Sequence, residues 1–354
     1  MLKTTFNNKR VFITGHTGFK GAWLVFMLKK LGADIFAISD SRPIDKKHVY
    51  YALQIDSLIA NAKDDIVDIV DYDKLKKAID SFAPDFVFHL AAQAIVSTSY
   101  QDPLMTFKTN ILGTANILEC LRCYKKNITA VIITSDKCYK NKERMTPYQE
   151  DEEMGGDDPY SASKGSCELV FNAYMKSYFK DDETKKIAST RAGNVFGGGD
   201  WSANRLIPDC IREVLYGAGT VEIRSPQAIR PWTFVVDILY GYILLAAKLR
   251  DEKSYQGSWN FASGETRTVH EVCQSMISNL DKGEIKVNSD MSIGKESGLL
   301  LIDEHKSRQL LGWSPVFSLD QAFELTAHWY LEQLTGDGIK KISNEFIDSY
   351  FSKV

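Results

Sequence analysis

The chain is 354 residues long, 44% hydrophobic and 25% charged, with a formal net charge of −3. That length fits one large domain or two modest ones, the balance excludes a fibrous or disordered chain, and the near-neutral charge excludes a nucleic-acid partner. The longest apolar run, residues 238–247, falls well short of the ~20 residues of a membrane span. It predicts a buried helix, and no membrane partner is expected. Polar residues lead straight into the first strand pattern without an apolar leader core, which predicts a cytoplasmic protein. Six cysteines are scattered, and Cys120-x-x-Cys123 has no second pair. Reduced thiols and no metal are expected.

In chain order, β-rich runs at 10–14, 34–39, 65–69, 85–90, 129–134 and 186–190 alternate with helical patterns at 19–31, 74–81, 105–124 and 158–179. Short apolar strands between amphipathic helices predict a parallel sheet covered on both faces. This is an α/β, doubly wound Rossmann fold, whose ligands sit at the carboxyl ends of the strands. Past residue 193 the texture changes, with three consecutive glycines at 197–199 and Trp-bearing loops. Residues 1–192 with 236–254 are expected to form a dinucleotide-binding domain, and 193–235 with 255–354 a smaller mixed α/β substrate-binding lobe. The helix over 237–249 returns to the core, with Asp237 capping it and Asn260 structural.

The first strand runs into Gly15-His16-Thr17-Gly18-Phe19-Lys20-Gly21. Gly15 permits a sharp turn, Gly18 lets the backbone approach a pyrophosphate, and Gly21 permits close helix–strand packing. The helix N-terminus then favours the phosphate charge. Gly15, His16, Gly18, Phe19 and Gly21 form the expected cofactor turn. Asp40, at the end of the second strand, suits an adenosine ribose and repels a 2′-phosphate, which favours NAD over NADP. Arg42, two residues on, is the competing signal for a 2′-phosphate. Asp68 and Ile69 are placed beside the adenine, although Asp68 also fits as a helix cap. Leu90, Ala91 and Ala92 follow the fourth strand with side chains small enough to admit a dinucleotide.

Tyr160 and Lys164 stand one helical turn apart, so phenol and ammonium share a face. A free phenol titrates near ~10 and is a poor base at neutral pH, but a nearby cation favours phenolate. Tyr160 then accepts a proton from a hydroxyl. Tyr72 and Lys76 have the same spacing without partner residues. Ser135-Asp136-Lys137 follows the fifth strand, where side chains aim into the cleft, and Thr134 beside it is grouped with the cofactor contacts. Ser135 suits the hydroxyl that Tyr160 deprotonates. Oxidoreduction needs only Ser135, Tyr160 and Lys164; the added pair Asp136 and Lys137 points to elimination.

The segments 15–21 (GHTGFKG), 89–93 (HLAAQ), 134–139 (TSDKCY), 159–165 (PYSASKG), 191–201 (RAGNVFGGGDW) and 228–232 (AIRPW) resemble the extended short-chain dehydrogenase/reductases. Within these NAD-dependent epimerases and dehydratases, they are most similar to the CDP-glucose 4,6-dehydratases, in order from about residue 8 to Trp329. The resemblance implies that bound NAD oxidises C4 of a nucleotide sugar, water leaves across C5 and C6, and the hydride returns to C6. It assigns Ser135, Asp136, Lys137, Tyr160 and Lys164 to the chemistry. Asn194, Arg205, Leu206, Arg230 and Trp232 match nucleotide-diphosphate positions, with Gln93, Trp201 and Arg224 as further substrate contacts. Arginine suits such sites because its planar fork pairs two phosphate oxygens. CDP-glucose is the favoured substrate and a homodimer the expected assembly, pairing the helices over 105–124 and 158–179. One departure stands out. Within residues 295–302 (KESGLLLI), Gly298-Leu299-Leu300 is apolar where related dehydratases carry polar residues with Tyr or Arg, which leaves the base open. A 4-epimerase, a dehydratase of another nucleotide hexose and a silent dinucleotide sensor are the alternatives.

Overall fold

The structure, a computed structural model, describes residues 1–288, 299–336 and 338–354. Its strands are β1 (Arg10–Thr14), β2 (Asp34–Ile38), β3 (Phe86–His89), β4 (Ile128–Ile133), β5 (Lys185–Ala192), β6 (Asn194–Phe196), β7 (Thr220–Ile223), β8 (Ile229–Phe234), β9 (Gly257–Phe261), β10 (Thr266–Thr268) and β11 (Glu284–Val287). The longer helices are α1 (Phe19–Lys30), α2 (Tyr72–Phe82), α3 (Gly113–Cys123), α4 (Pro159–Tyr174), α5 (Leu206–Tyr216), α6 (Val235–Asp251), α7 (Val269–Leu280), α8 (Leu319–Thr335) and α9 (Ile339–Lys353).

Six parallel strands form the main sheet in the order β2-β1-β3-β4-β5-β9. Five were anticipated; the sixth was not. The segment 65–69 contributes only a bridge, Ser39 to Ile66. Asp65 is drawn to His16 and Arg42, so the chain turns there to satisfy a buried carboxylate. The sixth place goes to β9, from the region assigned to the smaller lobe. It pairs with β5 after the chain crosses over through α6, whose residues are buried almost all round. Strands β3 and β4 are buried at every position, as a sheet covered on both faces requires.

One core cluster joins α1 and α6 to the sheet, and a second fills the opposite face under α2, α3 and α4. Each fully buried Leu, Ile or Phe contributes roughly 1.5–3 kcal/mol. The remaining strands make a three-stranded sheet, β10-β8-β6, and a parallel pair, β11-β7. Asp237 corrects an expectation. It lies inside the first turn of α6 rather than capping it, and Phe234 occupies the cap position without a side-chain bond. Its Oδ1 accepts the Val316 amide at 2.9 Å and the Tyr350 hydroxyl at 2.7 Å, clipping the C-terminal helices to the core. Burial pushes its carboxyl up to about 6.

Candidate active site

The glycine turn is built by exclusion. Gly15 has φ +80°, and a Cβ there would stand 2.6 Å from the Ala91 amide nitrogen. A Cβ on Gly21 would lie 2.0 Å from the Gly15 carbonyl oxygen. Gly18 is exposed and caps α1 with no side-chain bond, and its Cβ position meets nothing closer than 3.4 Å. The first amides of α1 thus face an open cradle that suits a pyrophosphate. Phe19 is buried beneath it. The β1 end is tied to β3: the Thr14 hydroxyl lies 2.8 Å from His89 Nδ1 and accepts the Ala91 amide at 3.2 Å.

His16 departs from its expected place. Its ring is fully buried, 3.1 Å from Ser39 Oγ and 3.0 Å from Asp65 Oδ2, so it braces the turn from behind rather than facing the cleft. Burial holds it neutral, below its usual range, against the pull of Asp65. Arg42 donates to Asp65 at 2.9 Å and to the Ala62 carbonyl at 3.1 Å. The guanidinium that competed for a 2′-phosphate is therefore engaged by the protein's own carboxylate, while Asp40 stands exposed past β2. Asp68 is exposed and accepts the Val70 amide; the cap of α2 is Asp71. Ile69 is buried against Gly113. Leu90, Ala91 and Ala92 are half-buried. Gln93 spends its amide on Thr106 at 2.9 Å and takes part in a ring of bonds with Asn110.

At the β4 end, Ser135 donates to Asp136 Oδ1 at 2.9 Å, and the Lys137 amide donates back to Ser135 Oγ at 3.2 Å. Asp136 is buried, and burial lifts its carboxyl above the usual range against the opposing pull of Lys137 and the Ser135 hydrogen bond. Its Oδ2 lies 3.5 Å from the space above Gly193. Helix α4 starts on Asp158, which accepts the Ser161 amide at 2.9 Å, with Pro159 in the first turn. That start places Tyr160 and Lys164 one turn apart on the helix, the ammonium 5.9 Å from the phenol ring centre. Both are more than nine-tenths buried. Lys164 also faces His89, which burial and that charge push down to about 3.

Behind this cluster lies a buried network that the sequence reading missed. Glu168 accepts the Thr134 hydroxyl at 2.5 Å, Ser189 at 3.1 Å and Arg191 at 2.7 Å. Arg191 donates to the Tyr139 hydroxyl at 2.6 Å, and Tyr139 donates to Asn260 at 2.8 Å. Burial raises the Glu168 carboxyl, but Arg191 outweighs it and holds the group ionised, below its usual range. Thr134 thus turns away from the cleft. The available signal was Arg191 itself, a charge inside a buried strand that demands a partner.

On the smaller-lobe side, Arg205 donates to Asp200 at 2.9 Å. The loop Gly197–Gly199 is pinned between α1 and α8: Trp23 donates to the Gly198 carbonyl at 3.0 Å, and Tyr330 donates to the Asp200 carbonyl at 2.7 Å. A Cβ on Gly198 would lie 2.2 Å from the Trp329 ring. Asn194 and Leu206 are half-buried, and Arg224 is exposed. Arg230 is buried beside Asp136. Trp201 is buried edge-on to Tyr216 and Tyr330, and Trp232 is buried and donates to the Arg267 carbonyl. Of the segment 295–302, residues 295–298 lie outside the described residues. Leu300 is buried and Leu299 bridges Ile229.

The sequence matches the model of the GDP-mannose 4,6 dehydratase family over residues 12–326. The chain belongs to that family. It is 38% identical over 358 residues to a CDP-glucose 4,6-dehydratase of Salmonella typhimurium, covering 99% of this chain and 98% of the relative. A dTDP-glucose 4,6-dehydratase of Haemophilus influenzae is 27% identical, covering 75% and 81%. Among solved structures, dTDP-glucose 4,6-dehydratase from Bacillus anthracis in complex with NAD matches with a TM-score of 0.76 at 21% identity, covering 92% of this chain and 97% of that one. Among the described residues no helix is long and apolar enough to cross a membrane, and no group of side chains is arranged to hold a metal.

Proposed function

We propose that this chain is an NAD-dependent hydro-lyase that converts CDP-glucose to CDP-4-keto-6-deoxyglucose. The observation that carries the reading is the buried Asp136 carboxyl, biased towards its protonated form and bonded to Ser135, on the loop beside Tyr160 and Lys164. Simple oxidoreduction has no use for such an acid. The Salmonella relative supports the nucleotide, and the open Gly18 cradle, the exposed Asp40 and the engaged Arg42 support NAD.

Bound NAD supplies a hydride acceptor for C4 that gives the hydride back at C6. Tyr160, its phenolate favoured by Lys164, takes the C4 hydroxyl proton while Ser135 holds that oxygen. The resulting 4-ketone acidifies the C5 proton, which Lys137 removes. Asp136 protonates the C6 hydroxyl, the C6–O bond breaks and water leaves. The proton then returns to C5 as C6 is reduced, so cofactor redox balances. Asn194, Arg205, Leu206 and Arg230 hold the nucleotide diphosphate, with Gln93, Trp201, Arg224 and Trp232 around them. Three carbons must meet fixed groups in turn, so positioning carries much of the rate.

The protein works in the cytoplasm as a homodimer. Leu112 is exposed on the segment leading into α3 and Leu169 on α4, which favours pairing through these helices, although Tyr174 is already bonded to Glu119 in its own chain. Incubation with a panel of nucleotide hexoses, followed by mass spectrometry, tests the reading: an 18-dalton loss is expected with CDP-glucose. Recovery of CDP-galactose at unchanged mass would make the protein a 4-epimerase instead.

A further inference from the structure

Ser135, Asp136 and Lys137 sit on a short turn whose own bonds are long. The Cys138 amide reaches the Ser135 carbonyl at 3.2 Å, and the Tyr139 amide reaches the Asp136 carbonyl at 3.3 Å. Hydrogen bonds in a 3₁₀ turn are poorly aligned, so a single turn is held mainly by what anchors its ends. The residues that bracket this one, Thr134 and Tyr139, both bond to the same buried ion pair. Thr134 donates to Glu168 at 2.5 Å, and Tyr139 accepts from Arg191 at 2.6 Å. Glu168 and Arg191 meet each other at 2.7 Å, and both are fully buried.

The two anchors act on different residues. Ser135 is extended, with φ −162° and ψ 155°, and successive side chains of an extended chain point to opposite sides. With the Thr134 side chain drawn to Glu168, Ser135 is turned the other way. Tyr139 closes the turn on Asp136. Its hydroxyl accepts from Arg191 and donates to Asn260 at 2.8 Å, its ring stacks on Tyr148, and Arg191 donates again to the Glu150 carbonyl at 2.8 Å. A buried ion pair often adds little net stability over apolar packing. What a buried network does supply is one defined arrangement of the groups it bonds.

We propose that Glu168 and Arg191 are positioning residues for the dehydration, fixing the aim of Ser135 through the Thr134 hydroxyl and that of Asp136 through the Tyr139 hydroxyl. The inference rests on the function proposed above and adds a division of labour to it. Glu168 with Thr134 serves C4 oxidation, and Arg191 with Tyr139 serves the loss of water.

Rapid mixing of the NAD-loaded enzyme with CDP-glucose separates the two steps. The rise of reduced-nicotinamide absorbance reports C4 oxidation, and its decay reports water loss with hydride return. Thr134→Val should slow the rise about tenfold and the decay less than about threefold. Tyr139→Phe should do the reverse, and in both variants KM for CDP-glucose should stay within about twofold of the wild type. Thr134→Ser keeps the hydroxyl and should recover the rate of the rise. Arg191→Lys keeps a cation for Glu168 but loses the planar fork that also reaches Tyr139. It should reproduce Tyr139→Phe, and the double variant should decay no more slowly than either single one. Circular dichroism melts establish that each variant is folded. Equal slowing of both steps in Thr134→Val and Tyr139→Phe, or no slowing in either, would make the network purely structural and overturn the proposal. A wild type that dehydrates CDP-glucose while its variants show no such split sinks this inference alone. A wild type that removes water from no nucleotide hexose sinks the function proposed above and this inference with it.

Discussion

The two ends of the cleft are made differently. At the α1 end the site is backbone: Gly15 and Gly21 matter because any side chain there meets main-chain atoms within 3 Å. At the β4 end the candidate site is side chain, Ser135, Asp136, Tyr160 and Lys164, and a separate buried network runs through Thr134, Glu168, Arg191, Tyr139 and Asn260. Backbone sites are specified by a few adjacent residues. Side-chain sites draw on positions far apart in the chain, and their failure modes differ accordingly.

The sharpest division between the two ends is expected from Tyr160→Phe. Turnover should fall by about 10³-fold or more while NAD affinity stays within about twofold, read by steady-state assay and calorimetry. Turnover close to wild type would remove Tyr160 from the chemistry. Asp136→Asn should slow elimination about 10²-fold and C4 oxidation far less, seen as reduced-nicotinamide absorbance accumulating with substrate bound. The wild-type elimination step should weaken as pH rises through the raised carboxyl value, because only the protonated form donates. An equal loss in both steps would place Asp136 outside the elimination.

Glu168→Gln tests whether the buried network matters. It leaves Arg191 buried without its counter-charge, so stability should drop by about 3–5 kcal/mol in denaturant melts. Gly21→Ala tests the other end. Its methyl would stand 2.0 Å from the Gly15 carbonyl, and NAD affinity should fall about tenfold while Tyr160 and its neighbours keep their places. Asp237→Asn, remote from both ends, gives the smallest effect. The carboxyl is raised to about 6 in the folded chain, so the folded state binds the extra proton. Stability is therefore lost as pH rises from about 4 to 6, by up to about 3 kcal/mol. The asparagine variant should match or exceed the wild type by about 1 kcal/mol at pH 8, and lose that advantage at pH 5.

Legibility followed the same division. Strands β1 to β5 and the glycine turn could be read because apolar runs and glycine spacing are local signals. Strand β9 could not, since its GSWNF sequence becomes a sheet strand only through the crossover of α6. Asp65–Ile69 misled for the converse reason: its apolar residues look extended, but a buried carboxylate bound to His16 and Arg42 sets the path. In the site, Tyr160 and Lys164 stood out by spacing. Glu168 stands one turn further along the same helix, and nothing in the sequence marks its partner as Arg191, 23 residues away.

The loop carrying Asp200 and Arg205 is clamped on one side by Trp23 and on the other by Trp329 and Tyr330. During translation the first jaw of that clamp, Trp23, precedes the loop, and the second follows Asp200 by 130 residues. A nascent chain paused after β9 would hold a nearly finished sheet with the loop still unclosed. Closure of the loop should therefore arrive abruptly, once α8 has left the ribosome.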